Sequence, residues 1–263
     1  MISLDKITKI FNQNTIDEIT AMNNISLKVK KGDFITIIGS NGAGKTTLFN
    51  LIAGTYLPTS GLININNKDV TREPEYKRAK YIGRIFQNPL LGTASNMMLE
   101  DNMMICYKKG FKGLTINLNN KMRNFFRDHL KELKMGLENR MKENVQLFSG
   151  GQRQALTLLM MVISKPDMIL LDEHTAALDP KNAEIVLELT KKFIDEYNLT
   201  AMMITHNMSH AIEYGNRILM MDKGEIILDI SGDEKKKLTV EKLVNKFHVL
   251  RHKDLDTDEV LLS

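Results

Sequence analysis

The stretch Gly39–Thr47, GSNGAGKTT, has the spacing G-x-x-x-x-G-K-S/T, with a further glycine at Gly42. Glycines let a backbone bend through conformations closed to other residues and bring N–H groups close to an anion. In this pattern Gly39, Ser40, Asn41, Gly42, Ala43 and Gly44 form a phosphate cradle. Lys45 reaches the β- and γ-phosphates, the Thr46 hydroxyl is a ligand for Mg²⁺, and Thr47 carries the chain into a helix whose N-terminus adds partial positive charge. The chemistry implied is nucleotide binding.

Other residues of matching chemistry stand at the ends of apolar runs. Asp172 and Glu173 follow MILL, Gln87 follows Tyr81–Phe86, and His206 follows Ala201–Thr205. Asp172 can hold Mg²⁺ directly or through water, opposite Thr46. Glu173 is the candidate to polarise an attacking water. Gln87 can bind Mg²⁺ and that water, and His206 can hydrogen-bond the γ-phosphate or the water. The blander alternatives are solvated acids before a turn and a structural histidine. His206 and His210 lie four apart, but residue 207 is Asn where a zinc-protease helix carries Glu. His174 reads as a packing residue, with tuning of the site as the alternative.

The elements that must hold these residues follow from the pattern. Phe34–Ile38 is an apolar, isoleucine-rich run and predicts a buried strand. Lys45–Ala53 predicts a helix ending at Gly54. Ser3–Phe11 and Ile25–Val29 alternate as strands of a small antiparallel sheet, with Asn12–Asn24 as the loop between them. Gly61–Ile65, Tyr81–Phe86, Met168–Leu171 and Ala201–Thr205 predict further strands. Helices are predicted over Ser149–Ser164, Lys181–Glu196 and Thr239–Phe247, and a hairpin around Lys223-Gly224. Strands alternating with helices imply a parallel sheet, which binds ligands beyond the carboxyl ends of its strands. Gly39, Gln87, Asp172 with Glu173, and His206 are therefore expected to converge on one edge.

Between Asn88 and about Asn144 the pattern turns helical, with Met122, Phe125, Phe126, Leu130, Leu133 and Leu137 at helix spacing. A helical subdomain, about 88–164, is expected as an insertion in the α/β core. Tyr107–Lys142 holds ten Lys/Arg against three Asp/Glu, a balance of +7 in a chain of +4. That bias reads first as a solvated helical face, and alternatively as a contact for anionic lipid or an acidic partner.

Composition narrows the class. The chain has 263 residues, 43% of them hydrophobic, enough for one α/β domain with an insertion. Its single cysteine, Cys106, precludes a disulfide framework or a zinc cluster of cysteines and fits a reducing compartment. The N-terminal MISLDKITKIF is broken by charge and does not read as a signal peptide. The longest apolar run, Ala155–Ile163, is half of what a membrane span needs. A net charge of +4 is too mild to argue for nucleic acid.

The run Leu147–Leu156, LFSGGQRQAL, contains a capping-box pair in Ser149 and Gln152. Its plain reading is a helix start. Ser149, Gly150 and Gly151 also make an anion site at a helix N-terminus, a second one in the same chain. With this the sequence resembles the ATPase subunits of ATP-binding-cassette (ABC) transporters over residues 1–247. GSNGAGKTT looks like the Walker A loop and MILLDE like Walker B. FSGGQ, Phe148–Gln152, looks like the family signature, with Phe148 where leucine is usual. Gln87 matches the Q-loop, Ala177–Pro180 (ALDP) the D-loop, and His206 the switch histidine. Phe11 sits where the family places an aromatic ring against adenine.

The resemblance implies a P-loop NTPase of ABC type: an α/β core with a mixed sheet, a small N-terminal antiparallel β subdomain, an inserted α-helical subdomain, and a tail over 248–263. It implies ATP and Mg²⁺ as cofactors, and a head-to-tail dimer with each ATP between the Walker A loop of one copy and Ser149, Gly150, Gly151 and Gln152 of the other. Asp179 would link the two sites. The helical subdomain and Gln87 would face a membrane permease, placing the protein peripherally at the cytoplasmic face of the membrane. DEHTAALDP, LLGTASNMMLEDN and THNMSHAIEYGNRILMM look like a bacterial importer branch that pairs with an extracytoplasmic binding lipoprotein, in some systems for aromatic amino acids. The alternatives are an exporter ATPase and an ABC ATPase acting on nucleic acid or ribosomes. About a hundred residues and no heptad run separate Walker A from the signature, which argues against a DNA-repair relative. The chain carries one cassette where translation-factor relatives carry two, and no nucleic-acid partner is expected.

Overall fold

The computed structural model of the chain describes residues 1–107, 118–247 and 249. In chain order the elements are β1 (Ile2–Phe11), β2 (Ile19–Val29), β3 (Phe34–Gly39), α1 (Lys45–Ala53), β4 (Ser60–Ile65), β5 (Lys68–Asp69), α2 (Glu75–Arg78) and β6 (Ile82–Ile85). Then come α3 (Leu99–Tyr107), α4 (Asn120–Lys131), 3₁₀ turns at Leu137–Asn139 and Val145–Leu147, α5 (Gly150–Ser164), β7 (Met168–Asp172) and α6 (Pro180–Glu196). The chain continues through β8 (Ala201–Ile204), α7 (Met208–Tyr214), β9 (Arg217–Asp222), β10 (Glu225–Ser231) and α8 (Gly232–Lys236), and a helix α9 covers 240–247. Contacts divide into two compact units, Met1–Arg72 with Met202–Ser263, and Glu73–Ala201.

The first unit holds two sheets. One is antiparallel, in the order β2-β1-β4-β5. The expected loop Asn12–Asn24 is shorter than the sequence suggests, because Ile19–Asn24 belongs to β2. Phe11 is paired with Ile19, Ile10 with Thr20 and Lys9 with Met22. The pattern is hidden by register shifts in β1, which interrupt the two-residue alternation. The other sheet runs β10-β9-β3-β8 within this unit and is mixed. The strands β3 and β9 are parallel, from Ile35 beside Arg217 to Gly39 beside Met221, and β9 and β10 form the antiparallel hairpin expected around Lys223-Gly224. Phe34 to Ile38 are all buried, so β3 is covered on both faces, as a central strand between neighbours requires. Ile38, Ile218, Met220 and Ile230 pack with Ala211 of α7, with Leu238 between α8 and α9, and with Leu243 of α9. The strand β8 hands the chain to α7, whose N-cap is Asn207. Both α7 and α8 are absent from the sequence reading. At seven and five residues they are too short for a periodic signal.

In the second unit β6 and β7 pair in parallel, with Gly83 beside Ile169 and Ile85 beside Leu171. The helix α5 lies against α3, α4 and α6 and buries Ala155–Met160, Val162 and Ile163. Each large apolar side chain so buried contributes about 1.5–3 kcal/mol. Lys165, in a left-handed conformation at φ 49°, and Pro166 end α5 where expected. The segment 88–144 is less helical than its pattern suggests. Residues 88–98 form turns, and α4 ends at Lys131, so that Leu133 and Leu137 stay buried from beyond the helix. An ion pair from Arg123 to the buried Glu100, 3.0 Å, fastens α4 to α3. Lys108, Lys109 and Lys112 of the basic segment, and the tail 251–263, lie outside the described residues.

Candidate active site

The glycine loop follows β3 and opens α1. Gly39 has φ 153°, and a Cβ there would stand 2.2 Å from the Met221 carbonyl of β9, so no larger residue fits. Gly44, at φ 94°, is the N-cap of α1, and a Cβ would meet the Ala21 carbonyl of β2 at 2.9 Å. The loop is thus clamped between two strands. It is also braced by side chains. Ser40 donates to Asp222 Oδ1 at 2.9 Å, and the Gly224 N–H donates to the Ala43 carbonyl at 3.2 Å. The β9–β10 turn therefore supports the loop from beneath.

Lys45 is buried, and its Nζ donates to the Gly39 and Ser40 carbonyls at 2.8 and 2.9 Å. Its ammonium lies folded over the loop's own backbone. Thr46 is exposed beside it. No side chain caps α1, whereas Asn119, Ser149, Asp179 and Asn207 cap α4, α5, α6 and α7. The first turn of α1 thus presents its N–H groups to no capping side chain, and a phosphate oxygen suits them. Elsewhere in this unit His206 is exposed after β8, and the Thr205 N–H donates to the Ile37 carbonyl near the end of β3. His210 stands edge-on to Tyr214, 5.7 Å between ring centroids. Phe11 packs edge-on against Tyr56 at 5.2 Å, with the Lys9 ammonium 5.0 Å from the Phe11 ring.

In the second unit Asp172 ends β7, buried, and Glu173 follows it half-buried at φ 47°. Arg84 of β6 donates to Asp172 Oδ2 at 2.9 Å. Gln87 is exposed two residues beyond β6. Asp172 and Gln87 here, and Thr46 in the first unit, each offer a hard oxygen, the chemistry that suits Mg²⁺. His174 is fully buried. Its Nε2 lies 3.0 Å from Thr190 Oγ1, whose own proton goes to the Val186 carbonyl at 2.7 Å. The Thr190 oxygen is therefore the acceptor, and Nε2 carries the proton. Burial pushes the imidazole pKa down to about 4, so it is neutral near pH 7.

Ser149 and Gln152 complete a reciprocal capping box. The Ser149 Oγ accepts from the Gln152 N–H at 3.2 Å, and the Gln152 Oε1 accepts from the Ser149 N–H at 3.1 Å. The Ser149 hydroxyl proton stays available for donation. Phe148 is buried under the Arg140 guanidinium, 4.6 Å above its ring, which accommodates phenylalanine where leucine is usual. Gly151 closes on the first turn of α6: a Cβ would lie 2.8 Å from Asn182 Cγ. Asp179 accepts from the Asn182 side chain at 2.6 Å and from its N–H at 3.1 Å, and these bonds hold its carboxyl below the usual range. Asp222, Arg84, Asn182 and Tyr56 escape the sequence reading. None sits in a local motif, and each acquires its place only through folding.

A glycine cradle between a buried strand and an uncapped helix, with a buried lysine at its mouth, defines a nucleoside-triphosphate-binding protein of the P-loop class. The chain belongs to the ABC transporter family, which it matches over residues 22–176. It is similar to the tyrosine transport ATP-binding protein of Clostridioides difficile (strain R20291), with 41% identity, covering 94% of this chain and 98% of that protein. It is 32% identical to the methionine import ATP-binding protein MetN 1 of Bacillus thuringiensis subsp. konkukian, over 86% of this chain and 65% of that longer one. Among solved structures it resembles a dimeric ATP-binding cassette, MJ0796, bound to ADP and Pi. There the TM-score is 0.72 at 27% identity, covering 88% of this chain and 98% of that one. The protein is thus an ATP-binding, ATP-hydrolysing subunit of a transporter. Among the described residues no helix is long and apolar enough to cross a membrane.

Proposed function

We propose that this protein energises a bacterial importer of a small solute, an amino acid such as tyrosine, by hydrolysing ATP at sites shared between two copies of the chain. The observation that carries this reading is the 41% identity to a tyrosine transport ATP-binding protein along nearly the whole of both chains. In this reading residues 1–247 are the ATPase domain, with the helical segment of about 88–164 inserted in it and the tail over 248–263 outside it. The two copies dock on membrane permease subunits at the cytoplasmic face, and an extracytoplasmic lipoprotein delivers the solute.

The loop Gly39–Thr47 holds the phosphates through its N–H groups, and Phe11 faces the adenine. Lys45 exchanges its carbonyl partners for the β- and γ-phosphate oxygens. Thr46, Asp172 and Gln87 would hold Mg²⁺, which would supply charge neutralisation at the phosphates. Glu173 orients the attacking water and takes its proton, and His206 hydrogen-bonds the γ-phosphate. Ser149 and Gly151 of the second copy close on the γ-phosphate, with Gly150 and Gln152 shaping that helix start. Asp179 links the two sites, and hydrolysis waits for closure.

The Glu173→Gln variant tests the shared site by sedimentation. It should hydrolyse ATP at least a hundredfold more slowly, bind ATP normally, and sediment as a dimer only when ATP is present. A strictly monomeric species with ATP bound would overturn the shared-site reading. Uptake of labelled tyrosine into proteoliposomes carrying the permease subunits and lipoprotein tests the solute, and export from loaded vesicles would overturn the import reading.

A further inference from the structure

We infer that Arg84 is the resident counter-ion of Asp172 and competes with the divalent cation for that carboxylate. This rests on the reading of Asp172 as the cation-facing acid. Arg84 lies beside Leu170 in the β6–β7 ladder, and its side chain reaches forward to Asp172 at the end of β7. Nη2 and Oδ2 are 2.9 Å apart, with side chains only 11% and 12% exposed. The guanidinium centre sits 4.8 Å from the Phe86 ring, which holds its plane. A pair so shielded is not the loosely screened ion pair of a protein surface. Arginine also keeps its charge at any accessible pH, so only displacement or an opposing charge can remove its hold.

The consequence concerns the order of binding. Without nucleotide, Arg84 balances the buried carboxylate and occupies one of its two oxygens. A divalent cation entering alone would meet a fixed positive charge beside the acid it needs. ATP brings phosphate charge that offsets this repulsion, so the cation enters with nucleotide and not before it. Arg84 then sets how much Mg²⁺ the protein needs, through Asp172 and not by touching the substrate. Neither the glycine loop nor the signature requires such a residue. A neutral side chain at this position of β6 would leave the acid open to metal.

The test is Mn²⁺ binding followed by electron paramagnetic resonance, with and without ADP, in wild-type protein, Arg84→Met and Asp172→Asn. Removing the fixed positive charge that faces the same carboxylate should tighten Mn²⁺ binding roughly tenfold. The gain should be larger without ADP than with it. Unchanged or weaker Mn²⁺ affinity in Arg84→Met would overturn the inference. If that variant fails to melt cooperatively, Arg84→Gln is measured under the same criterion, since it is neutral but keeps hydrogen-bonding capacity. Asp172→Asn separates the two readings. If it binds Mn²⁺ as wild type does, the assignment of Asp172 itself fails. If it loses Mn²⁺ while Arg84→Met does not gain it, only the competition fails.

Discussion

The Ser40 hydroxyl donates to Asp222 Oδ1 across 2.9 Å, joining residues 182 positions apart in the chain. Asp222 closes β9 and is 4% exposed. The phosphate loop is thus anchored to a strand that itself contributes nothing to the nucleotide motif. A hydrogen bond to a buried charged acceptor is worth about 1.5–3 kcal/mol. Asp222→Ala should therefore lower stability by about that much and weaken ATP binding several-fold, with a smaller effect on turnover at saturating ATP. Asp222→Asn keeps the acceptor oxygen and should lie near wild type. Urea melts and equilibrium binding of a fluorescent ATP analogue check both.

Gly39→Ala should be far more damaging than its single methyl group suggests. The added Cβ would stand 2.2 Å from the Met221 carbonyl, at a φ of 153° that L-residues avoid. Backbone is the obstacle, so no rotamer change relieves it. The strands β3 and β9 would have to separate at the start of the loop, and the cost should exceed about 3 kcal/mol. The expected result is little soluble protein, or a protein that melts much earlier and binds no ATP. Normal ATP affinity in a folded Gly39→Ala would refute the account.

Gly151 and Asn182 should behave as one unit. A Cβ at Gly151 would press on the Asn182 amide at 2.8 and 2.9 Å, and that amide is bonded to Asp179. Gly151→Ala should lower the melting temperature and impair turnover, because Asn182 must leave the Asp179 carboxylate. Asn182→Ala removes the amide and its bond to Asp179 and leaves only the residue 182 Cβ, 3.0 Å from the added methyl. The double variant should consequently be no less stable than the worse single variant. Simple additivity in a double-mutant cycle would show the contact to be unimportant.

His174 predicts an acid-sensitive stability. Its folded pKa, about 4, is depressed by burial below its ordinary value near 6.5. The unfolded chain therefore binds the proton more readily. Stability from this group is fully present above about pH 6.5 and is lost as pH falls toward 4, below which the loss levels off. The total is on the order of 3 kcal/mol. Urea melts at pH 7.5 and 5.0 should show the loss in wild type and a clearly smaller one in His174→Gln. An equal loss in the two proteins would assign the acid limb to other groups.

The sequence by itself determined most of what is local. The glycine loop, the stop of α1 at Gly54, the capping box at Ser149 and Gln152, and the apolar strands β3, β7 and β8 all follow from spacing and composition within a few residues, because each depends on neighbours in the chain. The ordered motifs also sufficed to indicate the family. Only the tertiary structure decided what holds those motifs in place. The Asp222 brace, the Met221 carbonyl that forbids a side chain at Gly39, the Arg84–Asp172 pair and the Asn182 contact with Gly151 join different elements of the fold. Ile19–Asn24 became strand for the same reason: its partner is β1, and its own alternation is too irregular to declare it. His174 gave no sign of neutrality in the sequence, since an imidazole's charge is set by the water that folding removes from it. Type and spacing specify which groups are present, and the long-range contacts fix their geometry, burial and charge.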